Sequence, residues 1–394
     1  MPELEAYLAD WLSLLLRWAH LVVGIAWIGA SFYFIWLDNH LEPSTDSELA
    51  GDLWAVHGGG FYHAEKFKGA PPQMPARLHW FKWEAYWTWI TGFFLLLLIY
   101  YVGAELYLID PAVMPLSKPA AIAIGIGSLV ISLVVYEAVC RSPLAKNDAV
   151  LGSVMFVLLA AAAWGLCQLF GGRGAFIHYG ALLGTIMAGN VAHVIIPGQR
   201  RMVAALAAGR APEPKDGAAG KQRSVHNTYF TLPVLFTMIA GHYAFTFGAR
   251  WNWLVLVALT LAGGLVRVWF VMRHKGAAPA WPLATGLGLI VVLGVFMSPG
   301  REKIPQSEIK FQAIKSIVDA RCVSCHSAKP AFQGLAEAPK GILLDTPERI
   351  RTQAAAILAQ SVVSKAMPPG NLTAMTDEER GLLGRWVRSG AGAE

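Results

Sequence analysis

Charge is scarce in this chain. Only 15% of its 394 residues are Asp, Glu, Lys or Arg, while 55% are hydrophobic. An ordinary soluble protein carries about 25% charged residues, so a purely soluble fold is excluded. Cysteine is scarce too. There are four, Cys140, Cys167, Cys322 and Cys325, and only the last two lie close together. No disulfide framework is implied. The formal charge of +6 is not gathered on one candidate domain, so no nucleic-acid partner is expected. No basic segment precedes the first apolar run, which therefore reads as a retained span rather than a cleaved signal.

What the chain has is span-length apolar sequence. Crossing a hydrocarbon core of about 30 Å takes about 20 apolar residues. Eight runs are long enough: 11–37, 80–101, 119–139, 149–170, 175–196, 228–248, 251–272 and 281–297. Trp and Tyr gather near their ends, where such rings prefer the interface. Lys and Arg alternate between the connections. The loops after spans one, three, five and seven hold thirteen, against three in the N-terminus and the other loops. By the positive-inside rule the richer set is cytoplasmic. The lipid bilayer is thus the expected surrounding, with both termini outside.

At Ser298 the character changes. Residues 1–300 are expected to form the eight-span bundle and 301–394 a small outer domain. Cys322-Val323-Ser324-Cys325-His326 has the spacing at which two thiols attach haem c and the histidine binds its iron. An amphipathic stretch, Ile309–Ala320, precedes it. Thr376-Asp377-Glu378-Glu379 forms a capping box that opens a last helix through Trp386. Between them, Met367 sits in a Pro-rich loop and is the expected second iron ligand, with Met375 as competitor. This pattern resembles class I cytochromes c. The expected fold is all-α, a transmembrane bundle followed by one haem c domain on the outer side.

Ionisable residues at membrane depth are candidates for function. His20, His178 and His242 fall towards the outer side. His193, His226, His79, His57 and His63 fall towards the inner side. His178 and His193 are fifteen residues apart, about 22 Å along one helix. Two of His20, His178, His242 and His193 could ligate an intramembrane b-type haem. The inner histidines, with Asn190 and Asn227, could instead surround a polar cavity and remove protons near neutral pH.

Arg17-Trp18-Ala19-His20-Leu21, Gly24-Ile25-Ala26-Trp27-Ile28-Gly29, His57-Gly58-Gly59-Gly60-Phe61-Tyr62, Leu78-His79-Trp80-Phe81-Lys82-Trp83-Glu84, Asn190-Val191 and His226-Asn227 resemble the membrane-bound bacterial urate oxidases. The resemblance covers the whole chain. It implies a multi-pass protein of the bacterial inner membrane, its C-terminal domain in the periplasm. It also implies oxidation of urate to 5-hydroxyisourate, with electrons leaving through haem c to a soluble cytochrome c or terminal cytochrome oxidase rather than directly to oxygen. His57, His63, His79 and His226 are then the candidate catalytic residues. Lys82, Arg267, Asn190 and Asn227 are the candidate urate contacts. The alternative is a non-catalytic membrane cytochrome that relays electrons from quinol.

Overall fold

Long apolar runs must satisfy their backbone internally once in lipid, and a helix does so within the segment. The computed structural model accordingly is mainly helical. It describes residues 2–298 and 309–392, apart from 275, 277, 278, 333, 334 and 336. The expected domain boundary at residue 300 lies outside the described residues.

Helix α1 (Pro2–His40) leads into a hairpin of β1 (Leu49–His57) and β2 (Gly60–Phe67). Then come α2 (Trp83–Leu96), short α3 (Ala104–Tyr107), α4 (Lys118–Arg141) and α5 (Asp148–Leu169). Helix α6 (Gly172–Gly189) continues through a wide π turn, Asn190–Ile195, into α7 (Ile196–Ala207). Next are α8 (Pro214–Ala240), short α9 (Ala244–Phe247), α10 (Asn252–His274) and α11 (Trp281–Phe296). Beyond residue 309 lie α12 (Phe311–Arg321), α13 (Pro347–Thr352), α14 (Ala354–Ile357) and α15 (Asp377–Arg388).

Six helical stretches are long and apolar enough to cross a membrane: Tyr7–His40, Trp83–Val102, Lys118–Arg141, Asp148–Leu169, Gly172–Ala207 and Asn252–Arg273. The chain is a multi-pass membrane protein. Two of the eight expected runs differ from these six. The run at 228–248 is the apolar end of α8, whose first turns are polar and which stops at Ala240. The run at 281–297 is a 16-residue helix. The fifth run extends well past Ile196. Pro197 lacks the N–H that a regular turn would use, and the wide turn directly before it lets the helix continue.

The all-α expectation is corrected by the hairpin, the only pair of strands among the described residues. Its strands run antiparallel, with Trp54 opposite His63 and His57 opposite Gly60. Gly58 and Gly59 both have positive φ, 58° and 79°. A two-residue hairpin turn needs that conformation at both central positions.

The helices pack around Leu108, Phe170, Tyr179, Leu183 and Leu256, all essentially unexposed. Val130, Ile131 and Val157 point outward. In lipid there is little hydrophobic gain from burying such residues, so close packing and hydrogen bonds hold the helices together. A polar cap starts α5: the Asn147 side chain accepts from the Ala149 and Val150 amides at 3.0 and 3.2 Å.

The C-terminal segment has its own core of Ile314, Val318, Ile350, Leu383 and Trp386. The expected capping box is present, Thr376 accepting from the Glu379 amide and Glu379 from the Thr376 amide. The Trp386 ring lies 5.8 Å from that of Phe311, and its Nε1 donates to the Gly392 carbonyl at 3.0 Å. Trp386→Ala is therefore expected to cost the segment ~3–5 kcal/mol. Protease sensitivity of the C-terminal region during a thermal ramp of the intact protein measures it.

This segment meets the bundle at one end. A cleft of ≈ 1490 Å³ between them is lined by Tyr107, Asp110, Arg173, His242, Trp251 and, from the C-terminal side, Met367 and Arg380. The bundle residues come from the ends of spans and the loops that the charge count assigns to the outer side.

Candidate functional site

The two ends of the bundle carry different chemistry. At the end away from the C-terminal segment, α4, the π turn and α8 bring polar side chains together in the interior. The Tyr136 hydroxyl and His226 Nδ1 are 2.7 Å apart. Asn190 Nδ2 donates to that hydroxyl oxygen at 2.9 Å and to Asn227 Oδ1 at 2.8 Å. Asn227 Nδ2 donates to the Met187 carbonyl at 3.0 Å. Since the Tyr136 oxygen already accepts from Asn190, its own proton is free to go to His226. Nδ1 is then the acceptor and Nε2 carries the ring proton in the neutral state.

Two charged residues close this cluster. Arg223 is 3% exposed and lies over the Tyr136 ring at 4.9 Å. Its Nη2 pairs with Glu137 at 2.9 Å, and Arg141 pairs with the same carboxylate at 2.6 Å. Arg223 Nε and Nη1 are buried without a partner among the described residues. An unpaired buried donor is costly, and these two lie on opposite sides of the guanidinium, so each is open to a separate acceptor. The Cys140 sulfur lies 3.9 Å from His226 Nδ1.

Three of the residues expected from sequence, His226, Asn190 and Asn227, therefore converge. The others are placed elsewhere. His63 sits on the hairpin between Asp52 at 2.7 Å and Glu65 at 3.5 Å, stacked on Trp54. His57 is exposed beside the hairpin turn. His79 packs edge-on against Phe81. Lys82 lies 5.3 Å over Trp83. Arg267 lies 3.9 Å over Phe32 and lines a separate groove of ≈ 360 Å³.

Of the histidines considered as ligands of a b-type haem, His20 and His178 engage different neighbours. His20 Nδ1 bonds to Thr91 at 3.0 Å. His178, fully buried, bonds through Nδ1 to the Gly174 carbonyl and through Nε2 to Tyr101. His193 and His242 are exposed. No hydrogen bond or ring contact among the described residues joins any two of the four.

The second site lies in the C-terminal segment, where α12 ends at Arg321 and the chain turns through Cys322–His326. Both cysteines are free thiols and partly accessible. Burial, with the neighbouring Cys325, pushes the Cys322 thiol up to about 12. His326 Nδ1 bonds to the Ile342 carbonyl at 3.0 Å, which fixes the ring and leaves Nε2 for a ligand. Among the described residues no group of three or more His, Cys, Asp or Glu is arranged to hold a bare metal ion. Two available thiols and an oriented imidazole fit a covalently attached haem better than a zinc site. Both Met367 and Met375 border the cleft, but Met375 is 3% exposed and belongs to the hydrophobic core, whereas Met367 is only partly buried.

Glu379 links the two helices of this segment. Burial would raise its carboxyl, but the Arg321 fork and the Thr376 amide outweigh that and hold it below the usual range. A carboxyl lowered by folding contributes stability above its unfolded pKa of about 4.3, and loses it as pH falls through the folded value. Acid titration is therefore expected to loosen the α12–α15 contact, and Glu379→Gln to flatten that dependence. Protease susceptibility against pH reads it.

Residues 6–298 match the urate oxidase N-terminal family. The chain belongs to this family. No curated protein and no solved structure matches it. The family match spans the whole described bundle, so the Tyr136–Asn190–His226–Asn227 cluster lies within the urate oxidase part and the Cys322–His326 turn lies beyond it. Membership points to a role in urate oxidation, and hence to urate as the substrate.

Within this family member, sequence reasoning missed Tyr136, Glu137 and Arg223. Arg223 counts in the sequence only as a topology charge, and nothing there singles out Tyr136. The available signal was Glu137 directly after a tyrosine in an otherwise apolar run, with an arginine three residues before His226.

Proposed function

We propose that this protein oxidises urate to 5-hydroxyisourate at the Tyr136–His226 cluster and passes the electrons to a haem c in its C-terminal domain. The observation that carries the reading is Arg223, whose two unpaired buried donors sit beside a hydrogen-bonded tyrosine and histidine. Urate is planar, anionic and rich in hydrogen-bonding edges, and the Arg223 charge with one of its free N–H groups can hold it while the Tyr136 and His226 rings border it.

The reaction joins water to the urate anion at C5 and releases two electrons and one proton. Arg223 holds the anion. Tyr136 passes its proton to His226 Nδ1 and takes one from the water that adds at C5, and Asn190 keeps the hydroxyl oriented for that transfer. Asn227 fixes Asn190 by accepting its second N–H. The buried setting excludes bulk water, which strengthens each of these contacts. A haem c attached at Cys322 and Cys325, with His326 and Met367 as iron ligands, would supply a one-electron acceptor, which a soluble cytochrome c or terminal oxidase would have to empty between the two transfers. No step is assigned to an intramembrane haem.

Aromatic side chains form a short column at the outer end of the bundle. His178 is 6.4 Å from Tyr100, and Tyr100 is 6.2 Å from Tyr107, both between ring centroids. Tyr107 and Met367 both border the cleft. This column supports an outward electron route. It also agrees with a periplasmic C-terminal domain that hands electrons to a soluble cytochrome c or terminal oxidase.

Arg223→Gln tests the substrate role. It is expected to raise the urate KM by about tenfold or more, as loss of a charge-assisted bond of ~1.5–3 kcal/mol requires. Steady-state kinetics of the purified protein, with a soluble cytochrome c as final acceptor, provide the value. An unchanged KM would move the substrate elsewhere. Haem reduction by quinol but not by urate would favour the electron-relay alternative.

A further inference from the structure

The C-terminal segment stands on the bundle by the same loop that holds Met367. A Cβ at Gly370 would come within 2.9 Å of the Ile109 carbonyl, 3.1 Å of that of Leu106 and 3.2 Å of that of Glu105. A Cβ at Gly248 would overlap the Ser364 carbonyl. Residues 364–371 therefore meet the bundle backbone to backbone, with no room for a side chain at either glycine.

Arg380 braces this loop from behind. It lies in the first turns of α15 and is 6% exposed. Its Nη1 donates to the carbonyls of Ser361 and Met367, the latter at 2.7 Å. Its Nη2 donates to Asn371 Oδ1 at 3.2 Å. One guanidinium thus ties both ends of the loop, including the backbone of Met367 itself. The same group faces the bundle. Burial raises the Asp110 carboxyl, and the Ala112 amide and then the Arg380 charge offset only part of that rise. Both residues line the cleft. The other charges around Arg380 are Asp377 and Glu379. Asp377 is paired with Lys365 at 2.7 Å and Glu379 with Arg321. Asp110, the carboxylate from the bundle, has no ion-pair partner among the described residues.

We propose that Arg380 is a positioning residue that couples the seating of the C-terminal domain on the bundle to the set of Met367. Seating and electron affinity then change together, because one side chain reports the position of the bundle to the backbone of the iron ligand. This rests on the reading that Met367 ligates a haem c. Partners of a ligand tune a metal site without touching the metal, and the strength of thioether ligation sets the potential.

The test uses the full-length, haem-loaded protein in lipid nanodiscs. Two quantities are read, the far-red absorption of methionine-ligated ferric haem and the midpoint potential. A pyridine haemochrome on the wild type comes first. If it shows no covalent haem, the functional reading fails and this inference with it. With haem present, Arg380→Gln is expected to weaken the far-red band and lower the potential. Arg380→Lys, which keeps the charge and one donor, is expected to shift both less and guards against a misfolded Gln variant. Asp110→Asn and Gly248→Val act from the bundle side. They are expected to keep the band but move the potential the same way, and to slow urate-driven haem reduction about tenfold or more. Unchanged spectra and potentials in both Arg380 variants overturn the positioning role. Shifts in the Arg380 variants with none in Asp110→Asn or Gly248→Val overturn the coupling.

Discussion

Replacing Cys322 and Cys325 together with serine is expected to remove covalent haem entirely and to reduce urate-driven electron delivery to background. Serine cannot form the thioether links. The expectation follows from the site: two free thiols and a histidine whose Nδ1 is already held by the Ile342 carbonyl. The segment has its own core around Ile314, Leu383 and Trp386, so the double variant should still be made and inserted. Mixing the purified protein with urate under argon and following haem absorbance gives the result directly. Unaltered urate-driven reduction of an added cytochrome c would mean that electrons leave by another route.

His226→Ala is expected to lower urate turnover by about 10²–10⁴-fold, the range for loss of a positioned general base. Haem content and reduction of the haem by an added chemical reductant should stay as in the wild type. That contrast separates loss of chemistry from loss of the acceptor. The effect is expected to be large because Tyr136 has His226 as its acceptor at 2.7 Å, while Asn190 already donates to its oxygen. Without the imidazole, the proton released by Tyr136 has no acceptor in the cluster. Tyr136→Phe should reproduce much of the loss, and single-turnover kinetics on both variants would show whether they act as one unit.

Hydropathy made most of the fold legible, because span-length apolar runs have few alternatives in a membrane. It failed where two signals overlapped. Helix α8 starts in polar sequence, from Pro214 through Arg223, and becomes apolar only after His226, so its composition hides a single continuous helix. The hairpin was missed because Leu53, Trp54, Ala55 and Val56 form an unbroken apolar run rather than an alternation. Only Gly58-Gly59 marked the turn. The capping box at Thr376 was readable because capping is local.

The candidate site was half legible for the same reason. Asn190, His226 and Asn227 stand out as polar groups in apolar helices. Which inner histidines touch one another depends on helix rotation and packing, which spacing along the chain does not encode. His57 and His63 belong to a hairpin, and His79 to an aromatic contact with Phe81. Arg380 lay beyond sequence reasoning, since its partners are 19, 13 and 9 residues back along the chain and meet only in the folded loop.

The wide turn at Asn190–Ile195 has a consequence for how this protein tolerates change. A π turn holds one more residue than the regular turn it replaces. Removing a single residue between 191 and 196 would let the helix revert to ordinary winding, and with the extra residue gone the groups beyond the cut would keep roughly their present facing. The side chains inside the turn would shift instead, and Pro197 would lose the room that the wide turn gives it. A one-residue deletion in the regular winding of α6 would be harsher, because everything downstream would turn by about 100°.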